Sequence, residues 1–370
     1  MDSTSNSTME VSTKEDHSDK ERITEFRAHK SQANCCQLFH NDQHLVTCSD
    51  DNTVALWDAV SGRNLTSVKA HEHNVVSCSV DETNNRVLTG SWDKSVCLWD
   101  IETETKLWSQ VYDSLVTCCC LGSYVVSTVD KSIYLHDPAS GQLISTAKGH
   151  SNTVMGCSLS SRGTELCSTS MDKTAKVWDT RMLHILLNLK GHINVVSSSS
   201  FSYDSHYVAT ASWDKTVQLY DIATGIYRSE GPAILRHHEG SVSSCAFSRD
   251  GSLLVSGGYD LNINVYNTGI NKLKLGLKGH TSWVNCVSTG EDRKWIASCS
   301  KDGMVKVWNT EHDAVEHSKQ KKKKKVFGID MARCYICGKQ FARCEEPSEH
   351  MQCVFCRLRN PSRTFMDQVV

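Results

Sequence analysis

The 370-residue chain has only four prolines, and aromatic residues make up 7% of it. It has no apolar run near the ~18–20 residues a membrane span needs, so no membrane association is expected. Its opening stretch, MDSTSNSTMEVSTKEDHSDK, has no apolar segment of the kind that directs export. Residues 1–21 read as a disordered tail because they offer almost nothing to bury. Also missing are a glycine-rich phosphate loop, an isolated Ser–His–Asp set and a metal site with a vacant ligand position. Together these absences argue against an enzyme.

The remaining composition is ordinary for a globular protein, 39% hydrophobic and 22% charged. Eighteen cysteines are present, most of them in strand-like apolar runs such as VTCCCL. Free cysteine buries well as a small hydrophobe, so a reduced compartment, cytoplasmic or nuclear, is expected. The net charge of −2 conceals an asymmetry. Residues 317–370 carry twelve Lys/Arg against five Asp/Glu, a balance of +7, which leaves about −9 for the rest.

The stretches VLTGSWDKSVCLWD (87–100) and VATASWDKTVQLYD (208–221) are near copies of each other. Aligning such blocks on their aspartates gives Asp51, Asp93, Asp130, Asp172, Asp214, Asp260 and Asp302. Six residues after these stand Trp57, Trp99, His136, Trp178, Tyr220, Tyr266 and Trp308. Twenty-two residues before all but Asp130 stand His29, His71, His150, His192, His238 and His280. The mean spacing is about 42 residues, with Gly-His pairs at 149–150, 191–192 and 279–280 and Trp-Asp pairs at 57–58, 99–100 and 178–179. Over roughly residues 23–310 the chain resembles the WD40-repeat family.

That resemblance implies an all-β fold, a seven-bladed propeller in which each unit supplies four short strands and neighbouring units stack radially. RITEF (22–26) precedes the first His where other units have their outer strand, and the last unit stops after KVW. The two ends should pair in one blade and hide two sheet edges. Expected boundaries are the tail at 1–21, the propeller at 22–312, a Lys-rich linker at 313–328 and a small zinc-binding module at 329–370.

In this family the repeated His, Ser/Thr, Asp and Trp form a structural hydrogen-bonded tetrad. Here that implies His29/Thr47/Asp51/Trp57, His71/Thr89/Asp93/Trp99, His150/Ser168/Asp172/Trp178 and His280/Ser298/Asp302/Trp308. Six copies of a catalytic triad make no chemical sense, whereas a repeated lock of paired buried polar groups does. The third unit has no Gly-His, carries His136 in place of Trp, and by strand alignment has Val111 near the missing His. It is expected to be the least rigid blade, through drift or as a docking place.

The resemblance also places the residue before each turn aspartate on one face. Those residues are Asp50, Trp92, Val129, Met171, Trp213, Tyr259 and Lys301, joined on the rim by Met155 and Trp283. The partner-binding candidates are therefore Trp92, Met171, Trp213, Tyr259, Trp283 and Lys301, since exposed aromatics near one centre suit a protein or peptide partner. The alternative is that Trp92 and Trp213 pack sideways on neighbouring blades. WDTR (178–181) resembles a box by which some WD40 proteins attach to a ubiquitin-ligase adaptor, with Arg181 as the docking residue. The bland reading of Arg181 is an exposed loop arginine.

The tail opens with KQKKKKK (319–325), a solvated linker that would also suit nuclear import or phosphate contact. Then Cys334 and Cys337 form one C-x2-C, and Cys353 and Cys356 a second after fifteen residues, a spacing that points to structural Zn²⁺. Cys344 or His350 could replace one ligand. Four thiolates on zinc reduce the tail's +7 to about +5, so acidic partners, nucleic acid among them, suit it; a protein partner is favoured.

Overall fold

The structure, a computed structural model, describes residues 24–81, 86–225 and 227–310, with the backbone of 330–333 and 340–343. The chain divides into two compact units, residues 1–314 and 315–370. In the first, strands form seven four-stranded antiparallel sheets, the blades of a propeller. Blade 1 consists of Ala33–Phe39, His44–Ser49, Thr53–Asp58 and Asn64–Lys69. The first strand of each blade lies against the first strand of the next, and that of blade 7 against that of blade 1, so the ring is closed.

Burial follows position in the blade. Second strands such as His44–Ser49 and Leu253–Gly258 are buried almost throughout, because neighbouring blades cover both of their faces. Outer strands such as Asn64–Lys69 and Lys106–Val111 alternate between exposed and half-buried residues. The hydrophobic core therefore lies in layers between blades. Typical is the layer of Leu88, Val96, Leu98, Val116, Cys119 and Val125 between blades 2 and 3. The thirteen cysteines from Cys35 to Cys299 are free, and all are buried or half-buried.

Blade 7 closes the ring as expected. Thr24–Arg27 is its outer strand, pairing antiparallel with Met304–Asn309 in the register Thr24↔Val307 to Arg27↔Met304. Glu25 meets Lys306 Nζ at 2.8 Å, and the Phe26 ring packs 4.8 Å from Trp57 of blade 1. Gly303, at φ 78°, allows blade 1's entry loop to approach; a Cβ there would lie 2.7 Å from the His29 carbonyl oxygen.

A second set of bonds joins the blades along the inner ring. The second residue of the innermost strand hooks the backbone of the following blade. Asn34 donates to Val75 O, Thr117 to Val154 O, Ser197 to Val242 O, Ser243 to Val284 O and Asn285 to Ala33 O, at 2.6–2.8 Å. Val76 and Met155 occupy the corresponding positions in blades 2 and 4 and have no group to donate. Further along, Gln37, Ser79, Ser200 and Ser288 accept N–H groups of Val80, Leu121, Phe247 and Leu38 in the next blade.

In the second unit, Asp330–Arg333 pairs antiparallel with Gln340–Arg343. The candidate zinc ligands Cys334, Cys337, Cys353 and Cys356, along with Cys344, His350, the lysine run and residues 1–23, lie outside the described residues.

Candidate functional site: the loop face of the propeller

Each blade presents one face through two loops, one entering its innermost strand and one joining its second and third strands. The tetrads fix these loops. His29 Nε2 lies 2.8 Å from Thr47 Oγ1, Trp57 Nε1 donates to that oxygen at 2.9 Å, and His29 Nδ1 faces Asp51 at 3.2 Å. Because the Asp51 carboxylate can only accept, Nδ1 carries the proton shared with it, which leaves Nε2 to accept the Thr47 hydroxyl hydrogen. Burial opposes ionisation of Asp51, but hydrogen bonds from His29 and Thr53 outweigh it and hold the carboxyl far below its usual range.

The same set recurs around His71 and His150. Blade 7 keeps the His280–Ser298–Trp308 bonds, but Asp302 stands 4.0 Å from His280 Nδ1, which has no hydrogen-bond partner among the described residues. In blade 5 the Tyr220 hydroxyl turns to Gln218 at 2.7 Å, and in blade 6 the Tyr266 hydroxyl has no partner within hydrogen-bond geometry among the described residues, with Ser256 and Asn264 beside it. Outside blade 3, the hydroxyl, histidine and aspartate side chains of the repeat are thus each held by at least one hydrogen bond of the scaffold.

Blade 3 differs from the expectation. Val111 is 74% exposed and fills no tetrad position. The next residue, Tyr112, sits four residues before the innermost strand, as the tetrad histidines do, and its hydroxyl lies 2.6 Å from Ser127 Oγ and 3.4 Å from His136 Nε2. The register places Ser127 opposite Cys119 as Thr47 lies opposite Cys36, so Ser127 is the hydroxyl member of the set. A turn one residue shorter obscured this alignment. The blade has a lock of different chemistry, a tyrosine reaching where a histidine and a tryptophan usually meet.

The rim itself is built from a repeated backbone pair. In six of the seven blades the residue before the turn aspartate donates its N–H to the carbonyl three residues past the histidine: Asp50 to Gln32, Trp92 to Asn74, Met171 to Thr153, Trp213 to Val195, Tyr259 to Ser241 and Lys301 to Trp283. Trp92 and Trp283 are 43% and 45% exposed, and Lys301 is exposed. Met171, Trp213 and Tyr259 are half-buried.

Tyr259 stacks on Trp283 across the blade 6–7 junction, ring centroids 4.7 Å apart at 19°, and Lys301 Nζ lies 4.3 Å from the Trp283 ring centre. The Trp92 ring lies 6.2 Å from His73. Leu115 is also in these loops and 44% exposed; it lies three residues past Tyr112, so the misplaced alignment of blade 3 hid it. At blade 1 a polar chain runs from Gln32 through Asn34 to Asp50. Arg181 is exposed in the turn after the third strand of blade 4, at the opposite end of that blade from Met171.

Among the described residues, no group of three or more His, Cys, Asp or Glu is placed to hold a metal ion. An apolar cavity of about 60 Å³ between blades 1 and 2, lined by Val46, Leu56, Val68, Val87 and Trp99, is too small for an organic substrate.

A family profile described as "WD domain, G-beta repeat" matches residues 20–58, 62–100, 141–179, 183–221, 232–267 and 271–309. It passes over the third unit, where Tyr112 and His136 replace the usual residues. Similar proteins include a THO complex subunit 6 homolog of Danio rerio, 35% identical over 17% of this chain and 20% of the relative. The small ribosomal subunit protein RACK1 of Caenorhabditis elegans is 39% identical over 15% and 18%. Lissencephaly-1 homolog 1 of Paramecium tetraurelia is 35% identical over 25% and 22%. The matched stretches thus span about a fifth of each of these relatives.

Proposed function

The chain belongs to the WD40 repeat family, and from that premise we propose that it is a non-enzymatic scaffold binding a partner protein or peptide on the loop face. The observation that carries this is the pair of half-exposed indoles, Trp92 and Trp283, held on one face by tetrad-fixed loops. Large, rigid aromatic groups gain contact area at little entropic cost, which is what binding hot spots require. The commitment of the repeat's polar side chains to hydrogen bonds inside the blades favours a binding role over catalysis.

Two subsidiary contacts belong to the proposal. Cys334, Cys337, Cys353 and Cys356 hold a structural zinc; the first pair falls in sequence between the paired strands Asp330–Arg333 and Gln340–Arg343, and four thiolates form a closed set. Zinc would supply the folding free energy of a module with few large apolar residues. Arg181, exposed and away from the loop face, suits a separate adaptor contact of the ubiquitin-ligase type.

The test is affinity purification from cells with mass spectrometry, comparing the wild type with Trp92→Ala/Trp283→Ala. Loss of a defined partner set at unchanged melting temperature is expected. An unchanged set would remove the loop face as the binding site.

A further inference from the structure

We propose that the segment bound on the loop face carries an acidic side chain, whose carboxylate pairs with Lys301 while an adjoining apolar group covers Trp283. This rests on the loop-face reading above and adds the chemistry of the partner.

Of the seven residues that precede the turn aspartate or its equivalent, Lys301 is the only cation. Two propeller lysines have acidic partners, Lys69 with Glu72 and Lys306 with Glu25, and Lys106 rests over the Trp99 ring on an outer strand. Lys301 forms no ion pair among the described residues; its ammonium rests over the Trp283 ring instead. The adjoining carboxylate is already committed. Asp302 accepts the Thr281 N–H and hydroxyl through Oδ2 and the Met304 N–H through Oδ1. Asp50, the acidic residue at the same position in blade 1, accepts the Asn34 amide at 2.7 Å.

The ammonium is also pre-positioned. Its backbone N–H is fixed to Trp283 O at 2.9 Å, and Trp283 is fixed in turn by its stack on Tyr259. A lysine held over an aromatic ring has lost part of its hydration and part of its rotamer freedom before any ligand arrives. A carboxylate reaching it gains a charge-assisted bond against a partly apolar wall, where the attraction exceeds that in bulk water. A basic segment would be repelled at the same point, so the arrangement selects by sign. The exposed part of the Trp283 ring provides the apolar half of the site.

The test is selection of a displayed random peptide library on the full-length protein. Enrichment of Asp or Glu beside an apolar residue is expected with the wild type, and Lys301→Glu should switch the enrichment to Lys or Arg. For a recovered peptide, replacing its acid by the amide should weaken binding about tenfold on the wild type and leave it unchanged on Lys301→Met. Peptides without acidic preference whose binding is lost in Trp283→Ala would overturn the charge assignment and leave the loop-face reading intact. Recovery of no peptide, or of peptides indifferent to both Trp92→Ala and Trp283→Ala, would overturn both.

Discussion

The Tyr112 hydroxyl lies 2.6 Å from Ser127 Oγ in the one blade whose repeat has lost its histidine. Ser127 is buried and Tyr112 half-buried, and the same hydroxyl lies 3.4 Å from Nε2 of His136, whose Nδ1 has no hydrogen-bond partner among the described residues. Tyr112→Phe keeps the ring packing on Tyr134 and removes only the hydroxyl. It should cost about 1–3 kcal/mol, the penalty for leaving a buried polar group unsatisfied. A denaturation midpoint equal to the wild type's would show that this blade is held by packing alone.

The inner-ring hooks set a second expectation. Asn285 ties blade 7 to the Ala33 carbonyl at the closing junction, so Asn285→Leu should destabilise by about 1–3 kcal/mol. The complementary experiment is a gain. Val76 stands where other blades carry a hook, and Val76→Thr is expected to stabilise by up to about 1 kcal/mol. Both values come from urea unfolding, and a Val76→Thr variant weaker than wild type would count against the hook.

Stability should depend on acidity in a definite window. Burial pushes His136 down to about 4, and burial, only partly offset by Asp302, does the same to His280. Both titrate near 6.5 when unfolded, so the unfolded chain binds these protons first as pH falls. Stability from them is complete above about 6.5, declines towards about 4 and changes no further below, on the order of 3 kcal/mol each. Burial shifts His71 and His150 in the same direction. Asp260 acts lower. Burial raises it, but bonding to His238 prevails and holds it at about 2, so its contribution is lost between about 4 and 2. Melting temperature measured from pH 7.5 to 4 should fall, and His136→Phe should flatten the slope. A flat wild-type profile would contradict the assignment.

The zinc proposal has a direct readout in metal content. Full-length protein purified without chelator should carry one zinc ion per chain, and Cys334→Ser or Cys356→Ser should lose it while the propeller's melting transition persists. Equal zinc in the wild type and both variants would remove these four cysteines as the ligand set.

Much of the loop face is legible in the sequence because each position has a fixed distance from a turn aspartate. Counting, with the WD40 resemblance to say which face the counted positions take, assigns Trp92, Trp283 and Lys301 to the rim, and they are exposed there. Counting does not separate them from Met171, Trp213 and Tyr259, which are half-buried. Burial at those positions depends on the neighbouring blade, as where Trp283 covers Tyr259. Strand alignment also misses by one residue at Val111, because blade 3 pairs Thr128 with Ile133 where blade 1 pairs Cys48 with Val54, a turn one residue shorter.

The repeated units, together with the family they resemble, determined the number of blades, the strand order within each and the closure by Thr24–Arg27, since seven units recur at one period and RITEF stands where the other units have their outer strand. What only the tertiary structure decided is what meets across a blade junction. Examples are Lys301 and Tyr259 against Trp283, the hook of Asn285 on Ala33, and the distance that keeps Asp302 from His280. The physical reason is that period fixes relations along a blade, while contacts between blades, and the side-chain positions within them, are set when seven units close into one ring and each must fit both neighbours at once.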